Sequence, residues 1–260
     1  MRIAPEGWVV IVPFVVVCLV LPAIGVYFSP VLGAVLGFVS LLLIGWCLWF
    51  FRDPIRIPPP GDNLLISPAD GRVLKVDSVP LPSELRDAAR EVSGGIAGVT
   101  DAPVQRICIF LNVFNVHVNR VPVGGKVEKV IYTPGKFFTA SLDKASEQNE
   151  RSTVLLRDNA GRIHAFSQIA GLVARRIVNH LTDGQVVKTG ERFGLIRFGS
   201  RAELFLPPGS SISVKAGDIV VAGESVLATL GPAITTNTNN ITNTTAPSHT
   251  GAPAMSGGMR

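Results

Sequence analysis

The chain has 260 residues, of which 47% are hydrophobic, and a formal net charge of +5. With a mean hydropathy of +0.38 and a pI near 9.4, this composition excludes an ordinary soluble domain and an acidic disordered chain. The modest basic excess suits a surface lying against anionic lipid, and nucleic acid is not an expected partner.

The apolar excess is localised. No charged residue occurs from Trp8 to Phe51. Two stretches, Trp8–Phe28 and Val31–Phe51, flank Ser29-Pro30, and each is ~21 residues, or roughly 32 Å as a helix, enough to cross a hydrocarbon core. A signal peptide fits poorly, because the run is too long and no small-residue cleavage site precedes Arg52. Residues 1–51 are therefore expected to form a membrane-associated helical hairpin. Pro13 and Pro22 leave a re-entrant first segment open. Trp46, Trp49, Phe50 and Phe51 gather at the headgroup end of the second stretch. Arg2, Arg52 and Arg56 place both ends on the cytoplasmic side of the cell membrane by the positive-inside rule.

Residues 52–62, with Pro54 and Pro58-Pro59-Pro60-Gly61, read as a stiff linker. From 63 to 230 the chain reads as short strands bounded by Gly, Asp and Pro turns. They are expected at Gly71–Val76, Gln105–Leu111, Lys126–Tyr132, Arg151–Leu156, Ile163–Ile169, Arg192–Phe198, Arg201–Leu206, Ser211–Val214 and Ser225–Leu230. Helices are expected at Ser83–Val92 and Gly171–Leu181. The glycine-turn phrases "DGQVVKTGERFG" and "VKAGDIVVAGESVLATL" resemble those of biotinyl/lipoyl-carrier β-sandwiches. The expected class is thus mainly β (α+β). Residues 231–260, rich in Thr, Asn, Ala, Pro and Gly, read as a disordered tail. Its two glycosylation-type triplets lie on the predicted cytoplasmic side. Cys18, Cys47 and Cys108 sit in apolar runs without a CxxC or His/Cys cluster, so neither a metal nor a disulfide framework is expected.

The chemistry centres on Gly199-Ser200. On a turn, glycine leaves its carbonyl unshielded and tolerates unusual dihedrals. The serine oxygen can attack that carbonyl and convert the amide to an ester. Elimination then leaves dehydroalanine, which hydrolyses to a pyruvoyl group, an electron sink made from protein alone. Gly-Ser is also an ordinary turn pair. His117, His164, His180 and His249 are the histidines. Locally, His117 reads as a strand residue and Asp70 in Ser67-Pro68-Ala69-Asp70-Gly71 as a turn residue.

Five ordered phrases decide between these readings. They are "SPADGRV" around Asp70, "FLNVFNVHVNRVPVGGKV" around His117, "YTPGKFFTASLDKASEQNER" from Tyr132, "QIAGLVARRIV" from Gln168 and "GERFGLIRFGSRAELFLP" from Gly190. Over most of residues 52–230 the chain resembles the phosphatidylserine decarboxylase proenzymes of the short bacterial type. The resemblance implies self-cleavage between Gly199 and Ser200 into a β chain, 1–199, and an α chain, 200–260, which stay associated. Ser200 then becomes the pyruvoyl group. His117 and Asp70 match the family's catalytic His and Asp, and with Ser200 they form a triad-like set. It also implies decarboxylation of phosphatidylserine to phosphatidylethanolamine through a Schiff base, with His117 returning a proton to the α-carbon. Lys136, Arg175, Arg176 and Arg201 are candidates to hold the lipid phosphate and the departing carboxylate. Many longer relatives carry a second His three positions after the first, where this chain has Arg120.

Two other classes stay open. A lipoyl-like membrane adaptor would need an exposed tip lysine beside Met, and neither Lys188 nor Lys215 has one. A related decarboxylase acting on another serine-headed lipid, such as archaetidylserine, differs only in its tails. Oligomeric state is also open, a homodimer included.

Overall fold

The structure, a computed structural model, describes residues 2–93, 102–139, 148–172, 176–197 and 199–232. Arg175, His249 and the tail from 233 onward lie outside the described residues.

Two helices open the chain, α1 (Trp8–Phe28) and α2 (Pro30–Phe50), joined at the extended Ser29. Pro30 starts α2, where its missing N–H costs nothing. Both helices are long and apolar enough to cross a membrane, and most of their Val, Leu and Phe side chains face outward. Pro13 and Pro22 lie inside an unbroken α1. The pair is closed by a two-strand clasp between β1 (Arg2–Ile3) and β2 (Arg52–Asp53). Its two ends therefore leave together. Arg52 and Asp53, the first residues of the expected stiff linker, belong to this clasp. Arg120 grips Asp53 at 2.7 Å and the Pro54 carbonyl at 2.9 Å, and Arg56 reaches Asp70 at 3.1 Å.

The remaining elements are β3 (Leu64–Ile66), β4 (Gly71–Val79), α3 (Ser83–Ser93), β5 (Val104–Leu111), β6 (Val118–Arg120), β7 (Gly125–Thr133), β8 (Arg151–Asp158) and β9 (Ile163–Ile169). They continue with β10 (Ile177–Asn179), β11 (Val186–Val187), β12 (Arg192–Ile196), β13 (Ser200–Phe205), β14 (Ser211–Ile212), β15 (Ile219–Val220) and β16 (Val226–Thr229). One eight-stranded sheet runs β11-β7-β8-β9-β13-β5-β4-β15, and two three-stranded sheets run β14-β16-β3 and β10-β12-β6. The class is mainly β with an N-terminal apolar helical pair, as expected. The helix expected over Gly171–Leu181 is corrected: Ile177–Asn179 is strand β10, paired with β12. Adjacent β-branched Ile177 and Val178 favour that pairing, and residues 173–175 lie outside the described residues.

The strand orders are palindromic about the β9–β13 pair, so the domain is built from two similar halves. One half is β3-β4-β5 with β13-β14-β15-β16. The other, β6 to β12, is inserted between β5 and β13. The likeness is detailed. The ladder of β4 with β5 shifts after Val73, and that of β7 with β8 shifts after Val127. The Val73 N–H donates to the Asp218 carbonyl at 2.8 Å, and the Val127 N–H to the Gln185 carbonyl at 2.8 Å. Between the halves lies one apolar core, including Val73, Ile109, Val127, Leu156, Phe166, Phe193, Ala202 and Leu204. Strand alternation sends Ala202 and Leu204 inward and their neighbours outward.

Candidate active site

The Gly199-Ser200 bond lies between β12 and β13. At the end of β12 the Ile196 N–H donates to the His117 carbonyl at 3.3 Å. At the start of β13, Ser200 pairs with Leu111. The turn is thus strung between the two ends of the segment that runs from Leu111 to His117. Gly199 has φ +63°, and a Cβ there would meet nothing within 4 Å. Backbone conformation rather than space therefore calls for glycine. Ser200 is 0% exposed, and its Oγ has no hydrogen-bond partner among the described residues.

His117 is also 0% exposed. Its Nδ1 lies 3.0 Å from the Asn115 carbonyl. A carbonyl only accepts, so Nδ1 carries the hydrogen and Nε2 presents a lone pair. That Nε2 is buried and unpartnered among the described residues. Burial drives the His117 pKa down to about 4, helped by the Arg52 charge and opposed by the Asn115 carbonyl. The ring is therefore a neutral acceptor at pH 7. It packs on Phe50 at the end of α2, with centroids 4.2 Å apart and planes tilted by 34°. Phe50, Phe51, Val116, Val118 and Leu195 form one buried cluster, so the apolar helices form a wall of the site.

The similar half contains a counterpart of this arrangement. The Leu230 N–H donates to the Asn63 carbonyl at 2.8 Å, as Ile196 does to His117. Asn63 therefore stands where His117 stands. Gly161, with φ +81°, stands where Gly199 does, and Arg162, opposite Asp158, stands where Ser200 does. Arg162 Nη1 donates to Asn63 Oδ1 at 3.0 Å. The residues at the Ser200 and His117 positions of that half touch.

Asp70 is buried on the turn before β4. Its Oδ1 accepts the Ala222 N–H at 2.8 Å, and Arg56 Nη2 lies 3.1 Å from Oδ2. Burial pushes its pKa up, opposed by the Ala222 N–H, Arg56, the Val116 N–H and Arg52. No hydrogen bond joins Asp70 to His117 among the described residues. The orienting acceptor on Nδ1 is the Asn115 carbonyl, which departs from the expected triad-like set. The nearby Val116 N–H, next to His117 in the chain, favours the Asp70 carboxylate.

The sequence profile of phosphatidylserine decarboxylase matches residues 43–228. A phosphatidylserine decarboxylase proenzyme of Paramagnetospirillum magneticum is 49% identical over 225 residues, 86% of this chain and 85% of that protein. Proenzymes of the same name from Magnetococcus marinus and Nitrobacter winogradskyi are 46% and 48% identical, covering 88% and 74% of this chain and 95% and 73% of those proteins. The chain belongs to the phosphatidylserine decarboxylase family.

The four cationic candidates for such a decarboxylase separate. The Arg197 N–H donates to the Arg176 carbonyl at 3.3 Å, so exposed Arg176 sits beside the Gly199-Ser200 turn. Phe137, next to exposed Lys136, packs with Ile196 and Ala170. Arg201 is corrected. It is 1% exposed, pairs with Glu203 at 2.9 Å, and lies on the face of β13 opposite Ser200. Arg175 lies outside the described residues. Arg120 is occupied by Asp53, Pro54 and Gly190. The sequence reading missed Phe50, Arg52, Arg56 and Asn115. The aromatic character of Phe50 and the basic character of Arg52 and Arg56 were visible there, and both were assigned to the membrane surface.

Proposed function

We propose that this chain is a self-processing, pyruvoyl-dependent decarboxylase that converts phosphatidylserine to phosphatidylethanolamine and carbon dioxide at the cytoplasmic face of the cell membrane. One observation carries the reading. A buried hydroxyl and a buried imidazole lone pair, each unpartnered among the described residues, flank a glycine turn at φ +63°. Buried polar groups rarely stay unpaired without a functional reason. The contact between Arg162 and Asn63 in the similar half supports Oγ and Nε2 facing each other.

His117 Nε2 takes the Oγ proton as Oγ bonds to the Gly199 carbonyl carbon. The proton passes to the Ser200 nitrogen as the Gly199–Ser200 amide bond breaks, leaving an ester. Removal of the Ser200 Cα proton expels Gly199 as a carboxylate and leaves dehydroalanine. Its imine tautomer takes up water and releases ammonia, giving the pyruvoyl end of the α chain. The environment fits that group, because Ser200 is fully buried and the space beside the Gly199 Cα, where a side chain would stand, is open. When formed, the group supplies a carbonyl that accepts the electron pair released as the substrate carboxylate departs. His117 Nε2 is our candidate to return a proton to the substrate α-carbon. Lys136 and Arg176 are our candidates for the lipid phosphate and carboxylate. Asp70, held by Arg56, steadies the backbone behind His117. The glycine-turn phrases, now seen as equivalent loops of two halves, motivate a carrier-type β-sandwich as the fold relation.

The test is the intact mass of the purified protein under denaturing conditions. Two chains are expected, 1–199 and 200–260, the smaller carrying a pyruvoyl terminus that resists Edman degradation. A single chain with full decarboxylase activity sinks the reading.

A further inference from the structure

The turn Asn112–Asn115 carries two apolar side chains outward at the place where the apolar helices end. Val113 is 36% exposed and Phe114 is 65% exposed. The turn is closed by its own polar groups. Asn115 Oδ1 accepts the Asn112 N–H, and Asn112 Oδ1 accepts the Phe114 N–H, both at 2.9 Å. The Asn115 N–H donates to the Asn112 carbonyl at 3.0 Å. Polar side chains are thus spent within the turn and apolar ones are shown outside, the reverse of what a turn in water gains from.

Arg52 fixes where this tip lies. Its guanidinium donates to the Trp49 carbonyl and to the Phe114 carbonyl, each at 2.8 Å. It also sits over the half-exposed Trp49 ring, 4.3 Å from the centroid. One cation therefore bridges the last turn of α2 and the Phe114 tip. Trp beside Arg at a helix end is the arrangement favoured at headgroup depth, so the tip is level with that depth. Three residues after Phe114 comes His117.

On the reading that α1 and α2 lie in a bilayer, we propose that Val113 and Phe114 form a second membrane contact, inserted at the boundary of acyl chains and headgroups beside the end of α2. The occupant is the phospholipid surface itself. Its continuity with the apolar helices through Arg52 argues for lipid over a second protein. The contact holds the His117 segment against the bilayer, so a lipid headgroup reaches the buried site while its tails stay in the membrane.

The test uses the full chain reconstituted in phosphatidylcholine vesicles containing phosphatidylserine. Phe114→Ser should cut itself as the parent does and should process a short-chain, water-soluble phosphatidylserine at the parent rate. Its apparent KM for vesicle substrate should rise roughly tenfold, the scale of losing one buried aromatic contact. Separately, an environment-sensitive fluorophore on Phe114→Cys should shift to the blue in vesicles and be quenched by lipids brominated on their acyl chains. Cys18, Cys47 and Cys108 are buried, and the parent chain serves as the labelling control. A parent-like KM together with water-like emission overturns the proposal. Concentration-dependent shielding in detergent without lipid overturns it in favour of contact between two copies. If the parent itself neither cuts nor decarboxylates, the proposed function fails, while the fluorescence measurement still decides the membrane contact.

Discussion

At the turn into β9, Gly161 with φ +81° is followed by Arg162. At the turn into β13, Gly199 with φ +63° is followed by Ser200. The backbone frame is shared, but its contents are not. Arg162 is held by Asp158 at 2.6 Å, Asn63 at 3.0 Å and the Gly231 carbonyl at 2.6 Å. Ser200 Oγ has no partner among the described residues. The Arg162 half even carries the more familiar-looking dyad, since His164 Nε2 lies 2.9 Å from Asp158 Oδ2. That carboxylate is shared with Arg162 and no hydroxyl joins it among the described residues, so the dyad acts as a structural tie. Among the described residues the hydrogen bond that orients His117 goes to a backbone carbonyl, not to a carboxylate. The contrast teaches that a carboxylate–imidazole pair does not mark a site by itself. Complementary groups left unpaired in a dry place do, because each forgoes about 1–3 kcal/mol that pairing would recover.

The largest expected effect breaks the comparison at its reactive end. Ser200→Ala should stay uncut and inactive, since the proposed mechanism makes Oγ the attacking atom and Cβ part of the pyruvoyl group. Arg162→Ser should not cut after Gly161, because Asn63 offers no base there. A denaturing gel reads both, and a second cleavage in Arg162→Ser would show that the glycine turn alone suffices. His117→Ala should cut about 10²- to 10⁴-fold more slowly, the usual worth of a general base, with its β-domain circular dichroism unchanged. Parent-rate cleavage in a folded His117→Ala protein removes His117 from the mechanism.

The strands were legible because their β-branched alternation is local. Ile163–Ile169 agrees end to end, and β4, β5, β7 and β8 lie within a few residues of expectation. The duplication was visible only as recurring glycine phrases. Its proof lies in hydrogen bonds between segments far apart in sequence, such as Val73 to Asp218 and Val127 to Gln185. Gly199-Ser200 stood out locally as a reactive turn pair, but His117 and Asp70 became candidates only through the ordered phrases, since a turn Asp and a strand His look structural on their own. Residues 1–51 read as an anchor only, because apolar periodicity reports lipid and core alike. The Phe50 contact with His117 is tertiary and left no local trace. Arg201 was misplaced because a positive charge beside Ser200 in sequence falls on the other face of a strand.

The structural half should lose stability where the reactive half loses rate. Asp158→Asn leaves Arg162 buried with its charge partner gone, a change that costs about 3–5 kcal/mol in buried pairs. Chemical denaturation measures it, and the fraction that remains folded should still cut itself at the parent rate. The same carboxyl sets a pH window. Burial raises the Asp158 pKa, but His164 and Arg162 outweigh that and hold it at about 2, against the ordinary 3.8 of an aspartate. The unfolded carboxyl therefore binds its proton first as pH falls. The stability this carboxylate contributes is present above about pH 4 and drains away toward pH 2. His117 behaves differently in the rate. With its pKa lowered to about 4, self-cleavage of freshly synthesised chain should stay level from pH 8 to about 5 and fall below about 4. A midpoint near 6.5 would mean that the imidazole is wet when it acts.

The smallest effect belongs to Phe50, the residue through which the apolar helices touch the reactive half. Its ring packs against His117, 4.2 Å between centroids. Leucine keeps most of the buried apolar volume, so Phe50→Leu should cost little stability. It removes the ring pairing, worth about 0.5–1.5 kcal/mol, which converts to roughly a two- to twelvefold slowing of self-cleavage. It also loosens the dry packing that keeps His117 uncharged, so the pH at which cleavage fails should move upward from about 4. Phe50→Tyr keeps the ring and should restore the rate. A deletion of residues 2–51 cannot replace this pair of variants, because it strips the membrane anchor and the histidine wall together. If Phe50→Leu cuts at the parent rate with the parent pH midpoint, then α2 only anchors the protein, and His117 owes its low pKa to the β-domain alone.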